Sequence, residues 1–390
     1  MKIMLLNTWR VINAKGGTEK VFAEMGNELT HRGHSVLAVC NDYQSGKPGF
    51  YIDPKVQFLN LASESDPWFF CGLAKNLSSF SLKQETRIQK RIKFQARKLC
   101  FKLKKHLLLF NPNVIISFQP LSTYALKQLV GNKVPIITML HNKPIVYLPP
   151  SLPKFVKDAV ADSTFVQVLR PEFVKDVKAI LPSANNIVVI PNCVRSQDKK
   201  AALVSKKIIN VGRITDDKRQ LLLIQSFNLI KDAFPEWTLE IWGEVDYDPD
   251  YTKKIKNYIS SNNLVNRCHL RGTTDDVISK LMDASIFAFP SRYEGWGLAL
   301  TEAMSLGLPS IGCIECPAVN TLIKSGQNGI LCDATAQSLA DSMSLLIKNI
   351  ELRHRLGSKA SEDMLKYRPE IVWNAWDKLI HEAYLALNTK

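Results

Sequence analysis

Short runs of aliphatic and β-branched residues alternate along the chain with longer stretches whose apolar residues recur every three or four positions. This is the rhythm of a parallel α/β protein. Met1–Leu6 predicts a first strand, ending in a loop at Asn13–Gly17. Thr18 to Arg32 predicts a helix with Val21, Phe22, Met25 and Leu29 on one face and Gly33 as its stop. Ser35–Cys40, Val114–Phe118, Pro135–Leu140, Thr164–Leu169 and Ile187–Ile190 predict further strands, the last ending at Pro191-Asn192. After a polar, basic stretch the rhythm restarts. Strands are predicted at Lys207–Val211, Thr238–Trp242, Cys268–Leu270, Ile286–Phe289 and Ser310–Gly312. Helices are predicted at Arg219–Phe234, Tyr251–Asn262, Ala336–Lys348 and Glu370–Leu387. No internal repeat or low-complexity segment interrupts the pattern.

The 390 residues are long for a single core, so the pattern divides into two domains. Residues 1–194 form the first, 195–207 a linker, 208–368 the second, and 369–390 a closing helix able to cross back to the first. Two α/β domains on a linker imply a cleft between them. A hydrophobic content of 46% with 22% charged residues is globular rather than disordered. No apolar run is long enough to span a bilayer, and the first apolar stretch is too short for a secretory signal, so a cytoplasmic location is expected. Eight cysteines are scattered as expected of small buried residues; Cys313 and Cys316 form a lone CxxC, read as packing rather than metal or redox chemistry.

The formal charge of +15 suggests a nucleic-acid partner, but its distribution argues against one. Ten basic residues and one acid lie between Lys83 and Lys105, so a net +9 belongs to one predicted helix spanning 83–110. On a helical wheel Ile88, Ile92, Leu99, Leu103 and Leu107 share the face expected to pack on the first domain. Phe94 and Phe101 lie on the opposite side among Lys90, Arg97, Lys104 and Lys105. Aromatic rings amid cations are what an interfacial helix presents to an anionic membrane, which places the protein at the inner face of the cell membrane.

Candidate chemistry concentrates in residues 291–309. Glu294 stands just before a turn containing Gly295, Trp296 and Gly297, and Glu302 follows eight residues later in a helical pattern that starts near Leu298. Glycines at a helix start leave backbone N–H groups bare for an anion, and two carboxylates beside them can accept from hydroxyls. The combination suits a nucleotide sugar. Arg213 and Lys218, five residues apart across a strand-to-helix loop, can both reach one diphosphate. Asp246 and Asp248 make a D-x-D pattern in a proline-containing loop, a weak signal read as a solvated acidic loop, with no metal assigned.

These segments resemble, over nearly the whole chain, the family 4 glycosyltransferases of the group 1 class, with GT-B architecture. The resemblance rests on Gly16-Gly17-Thr18-Glu19 with Arg32-Gly33-His34, His141 at a strand end, Ile190-Pro191-Asn192, Val211-Gly212-Arg213 with Lys218, and Glu294 and Glu302 in the E-x7-E signature. It implies two Rossmann-like domains facing a donor cleft and retention of anomeric configuration. It also implies a donor site of Gly16, Gly17, Arg213, Lys218, Glu294, Gly295, Trp296, Gly297, Leu298 and Glu302. Catalytic roles fall on Glu294, His141, Arg213 and Lys218, with Glu302 on the ribose and Glu294 on the transferred sugar. Neither cofactor nor metal is required. The donor is a nucleotide sugar, UDP-sugar favoured, and the acceptor a saccharide or lipid-linked saccharide of a surface polysaccharide or glycolipid. Arg219 replaces a common glycine, Asn142 a frequent aspartate and Trp296 the usual phenylalanine. Two other readings use the same fold: an isomerase acting on the nucleotide sugar itself, and a non-catalytic binding partner. The basic aromatic helix disfavours the first, and the intact Arg213, Lys218, Glu294 and Glu302 disfavour the second.

Overall fold

The computed structural model describes residues 1–64, 84–195 and 197–388. The chain forms two compact units, Met1–Pro191 together with Trp373–Lys390, and Asn192–Val372. Each is built on an all-parallel sheet.

The first unit carries β1 (Lys2–Asn7), β2 (Ser35–Cys40), β3 (Gln57–Asn60), β4 (Val114–Ser117), β5 (Ile136–Leu140), β6 (Phe165–Val168) and β7 (Ile187–Val189) in the order β3-β2-β1-β4-β5-β6-β7. Helices on both faces bury the central strands, which is why β1, β4 and β5 are nearly unbroken apolar runs rather than alternating ones. The second unit carries β8 (Lys207–Val211), β9 (Thr238–Trp242), β10 (Cys268–Gly272), β11 (Ile286–Phe289), β12 (Ser310–Cys313) and β13 (Ile330–Cys332) in the order β10-β9-β8-β11-β12-β13. In each sheet the direction of strand addition reverses once, between β1 and β4 and between β8 and β11. Such a reversal opens a crevice beyond the carboxyl ends of the two strands, where open α/β sheets bind ligands. This two-sheet α/β architecture fits the expectation of a GT-B fold.

The predicted strands are present with ends shifted by a residue or two. Edge strands β3 and β13, and helices such as Pro120–Val130 and Ile350–Met364, are additional to the sequence-based elements. The helix expected from Arg219 begins at Gln220, because Arg219 adopts a left-handed conformation (φ 56°) that ends the preceding turn. The terminal helix Pro369–Asn388 belongs to the first unit from Trp373 onward. Its Asp377 is gripped by Arg32 Nη1 at 2.6 Å and His34 Nε2 at 3.3 Å, while Arg32 Nε also donates to Glu28 at 2.8 Å. The Arg32-Gly33-His34 motif thus fastens this helix.

The basic helix runs from Gln84 to Phe110; Lys83 lies outside the described residues. Ala96, Leu99, Leu103, Leu107 and Phe110 pack into a core with Met4, Leu6, Val39 and Ile115. Two sequence-based expectations change here. Ile88 is exposed, because the buried stripe starts only at Ala96. Phe94 is half-buried rather than exposed, in a turn where the helix meets its neighbours and Lys93 Nζ sits 5.0 Å from the Phe155 ring. Lys102 turns inward, its ammonium donating to the carbonyls of Leu61 and Glu64 at 3.0 Å each. Phe101 remains exposed among Arg97, Lys104 and Lys105, and exposed Leu108 and Leu109 follow it. Among the described residues, no helix is long and apolar enough to cross a membrane.

Candidate active site

In the second unit, the loops after β8 and β11 meet at the strand reversal and are tied together by charge. Lys218, in the tight turn Asp216–Lys218, places its ammonium 2.8 Å from Glu294 Oε1 and 3.1 Å from the Tyr293 carbonyl. Both side chains are 13% exposed. Asp217 approaches the same ammonium at 3.4 Å. Burial opposes the Lys218 charge, but Glu294 and then Asp217 outweigh it and raise the pKa above the ordinary lysine value. The Arg292 N–H donates to the Asp217 carbonyl at 2.8 Å, and its guanidinium meets Asp216 at 3.2 Å. Fully buried Gln220 donates to the Arg213 carbonyl at 2.8 Å, fixing the start of the loop.

Arg213 shares that loop but is exposed. It donates to the Tyr247 hydroxyl at 2.8 Å, with its guanidinium 4.7 Å from the ring centre. Tyr247 belongs to the acidic D-x-D loop, whose Asp248 accepts from the Tyr251 N–H at 3.1 Å and caps the helix Pro249–Ser261. Gly297 has φ 90°, a left-handed conformation that favours glycine, and precedes the helix Leu298–Ser305 without a side-chain cap. The first N–H groups of that helix are therefore open to an anion. Gly295 and Trp296 are buried behind this turn, the indole meeting Tyr367 edge-on at 4.9 Å. Glu302, half-buried, lies one turn into the helix.

The first unit holds Gly16, Gly17 and His141. Gly16 precedes the helix Gly17–His31, and the Glu19 carboxylate folds back so closely that a Cβ on Gly16 would lie 2.2 Å from Glu19 Oε2. This helix start is thus already faced by an acid. His141 follows β5 and stacks on Phe118, with ring centres 4.8 Å apart. Neither ring nitrogen has a hydrogen-bond partner, and burial pushes the imidazole down to about 3, so it is neutral. A buried polar atom without a partner is costly unless something supplies one. Gln119, just after β4, accepts from the Thr8 N–H at 2.8 Å and donates to Asn7 Oδ1 at 2.5 Å, bridging the β1–β4 reversal.

The structure therefore brings together Arg213 and Lys218 on one loop, joins Lys218 to Glu294, and sets Gly295 to Glu302 directly after them. Gly16, Gly17 and His141 belong to the other unit. Sequence reasoning missed Tyr247, Asp217, Gln119 and Phe118. Only Phe118 and Gln119 carried a signal, at the end of a predicted buried strand and directly after it. The cysteines Cys313, Cys316 and Cys332 are free and buried, with Cys313 beside Cys332 in the register of β12 and β13.

The unfolded chain protonates His141 near its ordinary value of 6.5, whereas the folded chain resists protonation until about 3. This residue therefore withdraws stability as pH falls below about 6.5. His141→Gln is expected to lose less melting temperature than the wild type between about pH 7 and pH 4.5, measured by calorimetry. Equal losses would contradict a buried neutral imidazole.

Residues 195–363 match the family model Glycosyl transferases group 1. An uncharacterized glycosyltransferase of Haemophilus influenzae is 26% identical over 376 residues, covering 95% of this chain and 97% of that protein. Sucrose-phosphate synthase from Thermosynechococcus elongatus shares the fold, with a TM-score of 0.80, 16% identity and 99% of each chain covered. A mutant of TarM from S. aureus, solved with fondaparinux, alpha-GlcNAc-glycerol and UDP, has a TM-score of 0.75 at 17% identity, covering 97% of this chain and 99% of that one. Over residues 195–363, within the second unit, the chain is thus similar to the group 1 glycosyl transferases.

Proposed function

We propose that the protein is a retaining, metal-independent hexosyltransferase that uses a nucleotide diphosphate-sugar, UDP-sugar favoured, and a saccharide or lipid-linked saccharide acceptor in surface polysaccharide or glycolipid synthesis. The observation that carries this reading is the Lys218–Glu294 pair at the β8–β11 reversal, with Arg213 on the same loop. As the glycosidic bond breaks, negative charge grows on the leaving diphosphate. Arg213, Lys218 and the open N–H groups from Leu298 onward stabilise it, and one pre-organised donor of this kind contributes ~3 kcal/mol. Glu294 accepts from hydroxyls of the transferred sugar and Glu302 from the ribose. Gly295 and Gly297 let the backbone approach both. The acceptor oxygen bonds to the anomeric carbon on the face the diphosphate leaves, and its proton passes to the departing phosphate oxygen. No protein nucleophile takes part. Neutral His141 offers a hydrogen bond to a sugar hydroxyl without adding charge. UDP in the TarM structure supports starting with that nucleotide.

A thermal-shift series with UDP-, GDP- and ADP-sugars tests the donor. A ligand at 100 times its Kd stabilises by about 2.7 kcal/mol, and the largest shift is expected with UDP-sugars. No shift with any of them at millimolar concentration would sink the reading.

Exposed Phe101, Leu108 and Leu109 beside Lys90, Arg97, Lys104 and Lys105 support docking on an anionic membrane, where each cation contributes about 1 kcal/mol. Flotation with anionic vesicles is expected to recover the protein at low salt and to lose it in a Phe101→Ser, Leu108→Ser variant. Unchanged recovery of that variant would exclude this helix as the contact.

A further inference from the structure

Arg213 is an exposed cation held by a phenol. Its Nη1 donates to the Tyr247 hydroxyl at 2.8 Å, and its guanidinium carbon lies 4.7 Å from the ring centre. The two residues sit on different loops of the second unit, after β8 and after β9, and those loops are packed backbone on backbone. The Gly212 N–H donates to the Trp242 carbonyl at 2.9 Å, and the Gly243 N–H to the Gly272 carbonyl at 2.8 Å. A Cβ on Gly243 would lie 1.9 Å from the Gly212 carbonyl oxygen, so no side chain fits between them. Further along, the buried Thr252 hydroxyl donates to the Val245 carbonyl at 2.6 Å, and Asp248 accepts from the Tyr251 N–H at 3.1 Å. Tyr247 is thus carried by a loop fixed on both sides of it.

The chemistry of this anchor decides what it can do. The neighbouring cation is already compensated: burial opposes the Lys218 charge, Glu294 and Asp217 sustain it, and Arg213 is near enough to repel it. Arg213 itself has no carboxylate partner among the described residues. A carboxylate in place of Tyr247 would quench the charge that a phosphate needs. A phenol fixes the plane of the guanidinium and one of its N–H groups against the repulsion from Lys218, and leaves its charge uncancelled. The rest of the five-donor fork stays available to an anion. An arginine left unheld would lose its rotamer freedom only on binding, at a cost in affinity. We infer that Tyr247 is a positioning residue that holds the uncompensated Arg213 guanidinium ready for the donor's diphosphate. This rests on the glycosyltransfer reading above and adds a residue that acts through Arg213 rather than on the donor itself.

Calorimetric titration of UDP, GDP and ADP into the full chain, into Tyr247→Phe, Tyr247→Ala and Arg213→Met, and into the double variant Arg213→Met, Tyr247→Ala tests the idea. Tyr247 is 44% exposed, so its variants are expected to melt with the wild type. For the nucleotide that binds, Tyr247→Ala is expected to weaken affinity about tenfold, and Tyr247→Phe, which keeps the ring, about threefold. In the Arg213→Met background Tyr247→Ala is expected to change affinity less than about twofold, because no guanidinium is left to position. The Nε–H order parameter of Arg213, assigned by the signal lost in Arg213→Met, gives a readout without ligand. It is expected at about 0.85 in the wild type and below about 0.6 in Tyr247→Ala. Additive losses of affinity, or an order parameter unmoved by Tyr247→Ala, would overturn the inference while the donor reading stands. If none of the three nucleotides binds the wild type, the donor reading fails and the inference fails with it.

Discussion

A lysine ammonium largely removed from water must find a counter-charge, and Lys218 finds Glu294 across the β8–β11 reversal at 2.8 Å. Breaking such a buried pair by deleting one partner costs about 3–5 kcal/mol, so each residue constrains where the other's loop can go. The Arg292 contacts to Asp216 and Asp217 add to the same seam. Two loops distant in sequence are thereby held as one surface, with a cation kept charged in a site short of water. Under the proposed function, a diphosphate arriving there would meet charge already in place, so that little reorganisation is needed during the reaction.

The two sheets use one device for the same purpose. In each, the central strand carries a buried asparagine whose side chain reaches across the strand reversal. Asn7 near the end of β1 accepts from Gln119, and Asn210 in β8 donates to the Ala288 carbonyl of β11 at 2.7 Å. Buried amides of this kind fix register where apolar packing alone would tolerate sliding. The crevices at which chemistry is expected are therefore anchored from below by hydrogen bonds and opened above by loops.

Much of this was legible in the sequence because the periodicity was strong. Parallel strands buried on both faces give apolar runs such as Ile-Ile-Thr-Met-Leu at β5, and these were readable to within a residue or two. Edge strands β3 and β13 were not, since Gln57–Asn60 and Ile330–Cys332 are short and only partly buried. The E-x7-E segment and the Arg213 loop were visible as charges beside glycines. Their partners were not. That Tyr247 holds Arg213, or that Gln119 bridges a reversal, depends on strand order, which local pattern does not encode. The helix Gln84–Phe110 shows the limit of a wheel. It placed Leu99, Leu103 and Leu107 inward, but Lys102 also points inward because the carbonyls of Leu61 and Glu64 need donors.

The proposed function divides labour within the Lys218–Glu294 pair, giving the diphosphate to the lysine and the sugar to the carboxylate. Calorimetric titration of UDP, which carries no sugar, into Lys218→Met and Glu294→Gln separates the two roles. UDP affinity is expected to fall at least tenfold in Lys218→Met and to hold or rise in Glu294→Gln, whose amide no longer competes for the ammonium. An equal loss of UDP affinity in both variants would contradict the division and reduce the pair to a structural clip.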